Sequence, residues 1–555
     1  MYTTVDTELS SRFPIYTRAN VGEVFPDPVA PATRAPLLWE SELGWRDAYV
    51  RMGAFDADEF PSDAFAILGV AGGYTYLNAS VMRLFGERAP GLSWKAIDEQ
   101  FFGAQPGIPD YEESPGDVRP DLTERLQETF GWVFAQTNVS DFDRLTEHRT
   151  RTIALREQRP DYTSMSDEDL WDAAHRLFPM HRELFSEHIF TTTLTTVPVG
   201  VIQGVAEAVG RLDLVMPLMS GLGDVDSAEP SYAMWDPSRL DPSSSDFVSG
   251  FDSFLVHYGS RGPNEWEARS PTWESDPNLA LVAIEQMRGA DESADPRAHQ
   301  AERAAERSEA ATTLLGMVEG DPETHGQLAA AIACSTAWLP ARERTKTNNI
   351  RLIQEIRMPL RELGRRMVER GAFDEIEDFG FVLDAESDEL LGSNPEVLTE
   401  RIRARRAEHH DLKSKIPPFV FVEQTTDPAT WPSTDNDDAV SLRGGESIQG
   451  FPGCPGVSEG RARVVLDSHD PTALEFGDVL VAPITDPSWT PLFVPAGGVV
   501  VDVGAALSHA IIVSRELGIP CVVSATDATR RIPAGALVRV DGNTGTVTVL
   551  DDGSG

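Results

Sequence analysis

Only three cysteines occur in 555 residues, Cys334, Cys454 and Cys521, and none is spaced as a CxxC pair or a zinc-ligand set. That spacing excludes a disulfide framework and gives no metal motif, so no resident metal is expected. Basic residues are scarce as well: 47 Lys and Arg face 89 Asp and Glu, a formal net charge of −42. Such an acidic surface repels nucleic acid and anionic membrane, so neither is an expected partner. No apolar run has the length expected of a membrane span, and the first residues lack a basic and apolar signal pattern. No G-x-x-x-x-G-K-[ST] phosphate loop is present. A cytoplasmic, reduced setting is the expectation.

What is present is ordinary globular material, 41% apolar and 25% charged, in a chain long enough for two or more domains. Residues 1–424 read as mostly helical, with apolar side chains recurring near every 3.6 residues. In 349–371, for example, Ile350, Ile353, Ile356, Leu360, Leu363 and Met367 form one stripe, which reads as a core-facing helix. Residues 425–449 are rich in Pro, Thr, Asp and Asn and read as an exposed acidic linker. From 450 to 555 the pattern turns to short β-rich runs at 460–466, 479–483, 499–503, 521–523, 538–540 and 546–550, with one or two helices between them. The expected fold is multidomain α+β, a large helical domain followed by a small β/β/α domain.

The densest signal lies at 499–523. An apolar strand ends at Gly504, a small-residue turn follows, and Ser508 and His509 open an amphipathic helix that Gly518 and Pro520 stop. A histidine there stands where unpaired amides and the helix dipole favour negative charge. Neutral imidazole is a competent nucleophile near pH 7, so His509 suits a phosphoryl carrier, with Gly504 and Ser508 about the phosphate. The plainer reading of the local pattern alone is a structural cap. A carrier histidine must visit two stations, which gives the linker a purpose; it also reads simply as a spacer.

Two clusters in the helical block carry charge suited to phosphoryl transfer. Arg342 and Lys346 are i, i+4 neighbours on one helical face, with Glu343 beside them. They read either as a cationic site for a phosphoryl group in flight or as a solvated charged face. In 257–267, Gly259, Gly262 and Pro263 make a turn-rich loop holding Arg261 and Glu265. Arg261 could clamp phosphate and Glu265 orient a hydroxyl; equally, the two could form an ion pair that pins the loop. His257, His175, His181, His188, His409 and His410 read as non-catalytic. Aromatics at 13–16, 39–49, 74–76 and 101–102 read as core or as the lining of an apolar acceptor pocket.

The runs at 477–504, 507–523 and 538–550 resemble the phosphohistidine swivelling domain of the phosphoenolpyruvate-utilising enzymes. His509 matches the phosphorylated histidine; Gly504–Ala505 stands where that family carries a Gly–Gly pair. The runs at 16–33, 72–86, 254–277 and 341–371 are similar to the substrate-binding domain of rifampicin phosphotransferases, whose Arg-Glu-x-x-Lys run matches Arg342, Glu343 and Lys346. This resemblance implies phosphoryl transfer from His509 to an alcohol or phenol-like hydroxyl. An ATP-grasp module would charge the histidine, and none is expected within the chain. The arrangement resembles phenylphosphate synthase, and implies a separate ATP-grasp subunit binding ATP and Mg2+. The alternative is a non-catalytic regulatory or phosphocarrier relative.

Overall fold

The computed structural model describes residues 4–101, 108–223, 225–226, 228–289, 295–434, 441–466, 474–485, 489–504 and 508–552. Ala505 and Phe102 lie outside them. The first unit is built on helices α1 (Val21–Val24), α2 (Trp39–Met52), α3 (Phe178–Ala208), α4 (Pro296–Met317) and α5 (Pro322–Glu369), with shorter helices between. Its spine is α5, 48 residues and so roughly 70 Å long. Asp321 starts it by accepting from the amides of Glu323 and Thr324, with Pro322 in the first turn. The stripe from Ile350 to Met367 is buried along it, as its spacing predicts. α3 packs beside it and α2 packs against α3, and their apolar faces share one core with Trp338, Leu352 and Ile356.

A four-stranded antiparallel sheet caps this unit: β1 (Ile15–Thr17), β2 (Leu68–Ala71), β3 (Tyr74–Asn78) and β4 (Val420–Val422), in the order β2-β3-β1-β4. Strand β4 returns from the far end of the domain to pair Phe421 with Tyr16, whose rings stack 5.3 Å apart. Tyr16, Tyr74 and Tyr76 form a core here, and Phe13, Tyr49 and Phe55 belong to the main core. The described aromatics of these clusters pack into the two cores.

The second unit is an eight-stranded mixed sheet: β5 (Ser447–Gln449), β6 (Phe451–Cys454), β7 (Val457–Val464), β8 (Val479–Ala482), β9 (Gly498–Val501), β10 (Cys521–Val523), β11 (Leu537–Asp541) and β12 (Thr546–Asp551). The order is β5-β12-β11-β7-β8-β9-β10-β6, with β7 to β10 mutually parallel. Alternation sorts its side chains: Val479, Val481 and Val500 face one layer, while Leu480, Val499 and Val501 face helix α6 (His509–Leu517).

Two expectations need correction. The segment 425–449 is not one free linker. Trp431 is buried against Tyr74, and the Ile416 amide donates to the Pro432 carbonyl, so 425–434 belongs to the first unit. Residues 447–449 pair with β12 in the second. Residues 435–440, between them, lie outside the described set. One helical stretch, Asp167–Ala208, does have the length and apolar composition of a membrane span. Half of its most apolar part is buried, where Leu184, Phe190 and Leu194 join the core.

Candidate functional site

His509 is the first residue of α6, and Ser508 is its extended N-cap. Gly504 is close-packed behind them: a Cβ there would lie 2.9 Å from Val523 Cβ and 3.1 Å from Ser508 Oγ. Its carbonyl accepts from Ser524 Oγ at 2.5 Å. Ser508 Oγ is buried and, among the described residues, has no hydrogen-bond partner. His509 is 8% exposed. Its Nδ1 lies 3.1 Å from Thr485 Oγ1, and Phe493 meets the ring edge to face at 5.7 Å. Burial, and then the charges of Lys346 and Arg261, hold its pKa well below the usual histidine value. The ring is therefore neutral at pH 7.

Those cations come from the other domain, so the structure has the small domain docked with its histidine in the large one. Arg261 sits on the loop after the helix Ser245–Tyr258, and the loop is fastened from below. The buried Arg357 guanidinium donates to the carbonyls of Glu265, Glu267 and Ala268. Glu267 in turn accepts from Thr33 Oγ1 at 2.5 Å. So held, Arg261 pairs with Glu265 at 3.0 Å and donates to Thr347 Oγ1 at 2.7 Å. Lys346 Nζ lies 3.5 Å from the same Glu265 carboxylate. Arg342 Nε is 4.0 Å from Glu343, whose charge also acts on Arg261. The Arg261–Glu265 pair is a buried ion pair, and its arginine acts electrostatically on His509.

Two further residues lie at the site. Glu23, on α1, accepts a hydrogen bond from the His509 amide. Burial pushes its pKa up to about 7 against the pull of Arg342, that amide and Lys346. Arg18 shapes its turn, donating to the carbonyls of Thr75, Phe25 and Pro26. His188, read from the sequence as non-catalytic, is the second and lies near the site's cations. Its Nδ1 lies 2.9 Å from Thr345 Oγ1, and burial with the charges of Arg342 and Lys346 lowers its pKa to about 3. Three other histidines bond within the first unit: His257 to the Ser253 carbonyl, His181 to Ser41 and His409 to the Pro28 carbonyl.

The docked pose has its own contacts. Glu516 of α6 accepts from the Gly221 amide and faces Arg303 and Arg307 of α4. Gly221 has φ 64°, and a Cβ there would run into the backbone of Arg303 and Ala304. Among the described residues no group of three or more His, Cys, Asp or Glu side chains is placed to hold a metal ion. The arrangement offers phosphoryl chemistry a neutral imidazole, cations on the facing wall and a carboxyl that titrates near neutrality.

Comparison with known proteins agrees with this chemistry. Residues 474–545 match the family described as PEP-utilising enzyme, mobile domain. Residues 187–343 match the rifampicin phosphotransferase fourth domain. His509 falls in the first match; His188, Arg342 and Glu343 fall in the second. Over 333 residues the chain is 31% identical to an uncharacterised protein of Mycobacterium tuberculosis, covering 58% of this chain and 34% of that one. It is 28% identical over 316 residues to the rifampicin phosphotransferase of Streptomyces sviceus, covering 56% and 35%. It is 29% identical over 322 residues to the prodigiosin synthesizing transferase of Serratia marcescens, covering 56% and 34%. The chain thus spans about a third of the length of these relatives. Two regions of the chain match domains of phosphoenolpyruvate-utilising enzymes and of rifampicin phosphotransferases.

Proposed function

We propose that the chain is a phosphotransferase subunit that carries a phosphoryl group on His509 and passes it to a hydroxyl of a small alcohol or phenol-like acceptor. A separate ATP-grasp subunit charges the histidine from ATP, with Mg2+ at the nucleotide. The observation that carries this reading is the docking of His509, from one domain, beside Lys346 and Arg261 of the other.

The residues divide the work as follows. Thr485 holds Nδ1, which leaves Nε2 as the nitrogen that bears phosphorus. In transfer the acceptor oxygen bonds to phosphorus and the phosphorus–Nε2 bond breaks, so the ring leaves as neutral imidazole protonated at Nδ1. Burial favours that neutral product. Lys346, Arg261 and Arg342 offset the charge on the phosphoryl oxygens, which amounts to about −2 on a phosphate monoester. The acceptor proton goes to Glu23, ionised above about pH 7. Glu265 and Glu343 keep the cations in place.

Lysine 346 gives the clean test, because its side chain is 19% exposed and its removal leaves the loop's buried pair intact. Lys346→Ala, assayed in two half-reactions, is expected to load His509 at the wild-type rate and to transfer to the acceptor about 10²-fold more slowly. Equal loss in both half-reactions contradicts its place at the acceptor station.

A further inference from the structure

Next to the transfer site on α5, Arg344, Asn348 and Arg351 follow at spacings of four and three and share one face. Opposite them lies Asp226, 2% exposed. Arg344 Nε approaches its Oδ1 at 3.4 Å, and Arg149, from the helix Asp143–Glu157, approaches at 3.3 Å. Arg351 faces the same carboxylate and Glu229, with Arg149 and Arg261 as like-charged neighbours. Burial, then the charge of Arg149, brings its pKa down to about 10. Among the described residues, Arg149, Arg344 and Arg351 thus face the carboxylates of Asp226 and Glu229.

Polar atoms are also left over. Asn348 is 1% exposed, and among the described residues neither its Nδ2 nor its Oδ1 has a hydrogen-bond partner. Arg351 Nη1 is likewise buried without one. Leaving a buried amide or guanidinium unpaired costs about 1–3 kcal/mol per group, so such atoms are normally completed from outside the chain. A donor-rich, positively charged wall is completed by an anion. The wall adjoins the chemistry, because Arg261 acts electrostatically on both Arg351 and His509.

We infer that Arg149, Arg344, Asn348 and Arg351 form a binding site for an anionic group of the acceptor, a carboxylate or a phosphate remote from the hydroxyl that reacts. This rests on the acceptor reading above and narrows it to a hydroxyl compound that carries a negative charge. Asn348 Nδ2 and Arg351 Nη1 donate to the anion, while Asn348 Oδ1 accepts from a neighbouring ligand O–H or N–H. The anion fixes the acceptor's orientation before phosphoryl transfer and takes no part in bond making.

Calorimetric titration of the purified chain with inorganic phosphate, and separately with acetate, tests the site. Binding of one or both is expected, weakened about tenfold or more in Arg149→Ala and Asn348→Leu and kept in His509→Ala. Preference for phosphate identifies a phosphorylated acceptor, and equal or better acetate binding a carboxylated one. Arg149→Lys, which keeps the charge at this partly exposed position, retains binding and controls for folding. No binding of either anion to the wild-type chain overturns the inference. So does binding that is lost in Lys346→Ala and kept in Arg149→Ala, which would put the anion at the transfer station. Because His509→Ala cannot carry a phosphoryl group and must still bind, failure of the phosphohistidine reading would leave this result untouched.

Discussion

The backbone amide of His509 donates to the carboxylate of Glu23, joining the first residue of one domain's helix to a single helical turn of the other. That bond puts a helix N-terminus, a neutral imidazole and a carboxyl that titrates near neutrality in one place. It also means that Glu23 is built into the site only while the small domain is docked.

Glu23 should therefore govern the pH dependence of transfer. Its raised pKa of about 7 leaves it protonated, and unable to take a proton, below that pH. Transfer to the acceptor is expected to rise with pH through about 7, with no inflection near the usual histidine value. Glu23→Gln should slow transfer by about 10²–10⁴-fold and flatten the profile. Single-turnover rates between pH 5.5 and 8.5 decide it, and an unchanged profile in the variant removes Glu23 from the proton path.

Glu516 gives docking a pH dependence of its own. Burial at the interface raises its pKa to about 7, against the Gly221 amide, Arg515, Arg303 and Arg307. An acid whose pKa is raised in the docked state binds its proton more tightly there. Its contribution is complete below the ordinary glutamate range and is lost as pH rises through about 7. Glu23 acts in the same direction. Hydrogen exchange at the Gly221 amide should therefore quicken above pH 7 in the wild type. In Glu516→Gln it should be less dependent on pH.

Arg261 and Lys346 should separate stability from chemistry. Arg261→Ala strands the buried Glu265 carboxylate and should cost about 3–5 kcal/mol in a denaturant titration. Lys346→Ala removes a partly exposed partner and should cost about 1 kcal/mol or less. Comparable losses for the two would mean that Lys346 is a structural residue.

Much of this was written locally in the sequence. The strand, turn and helix around His509 span some twenty residues, and the stripe from Ile350 to Met367 is a plain 3.6-residue repeat. Arg342 and Lys346 share a face by helical spacing alone. Glu23 and His188 were illegible because their setting is made by distant chain: Glu23 by α6, His188 by α5. Strand β6 was hidden by Pro452 and Gly453, residues that weaken a strand pattern and are tolerated at the sheet edge this strand occupies. The polar 425–449 segment read as a linker because composition reports solvent preference, whereas Trp431 anchors it through one buried ring. The Arg344–Asn348–Arg351 face looks like a solvated helix until Asp226 and Arg149 are packed against it.

Phosphorylation of His509 is the claim on which the transfer account depends, and peptide mapping after incubation with the ATP-grasp partner and [β-32P]ATP measures it directly. The account predicts one acid-labile label, on the peptide containing His509, that disappears on addition of the acceptor and never forms in His509→Ala. Label that persists in His509→Ala, or that maps to any other residue, contradicts it.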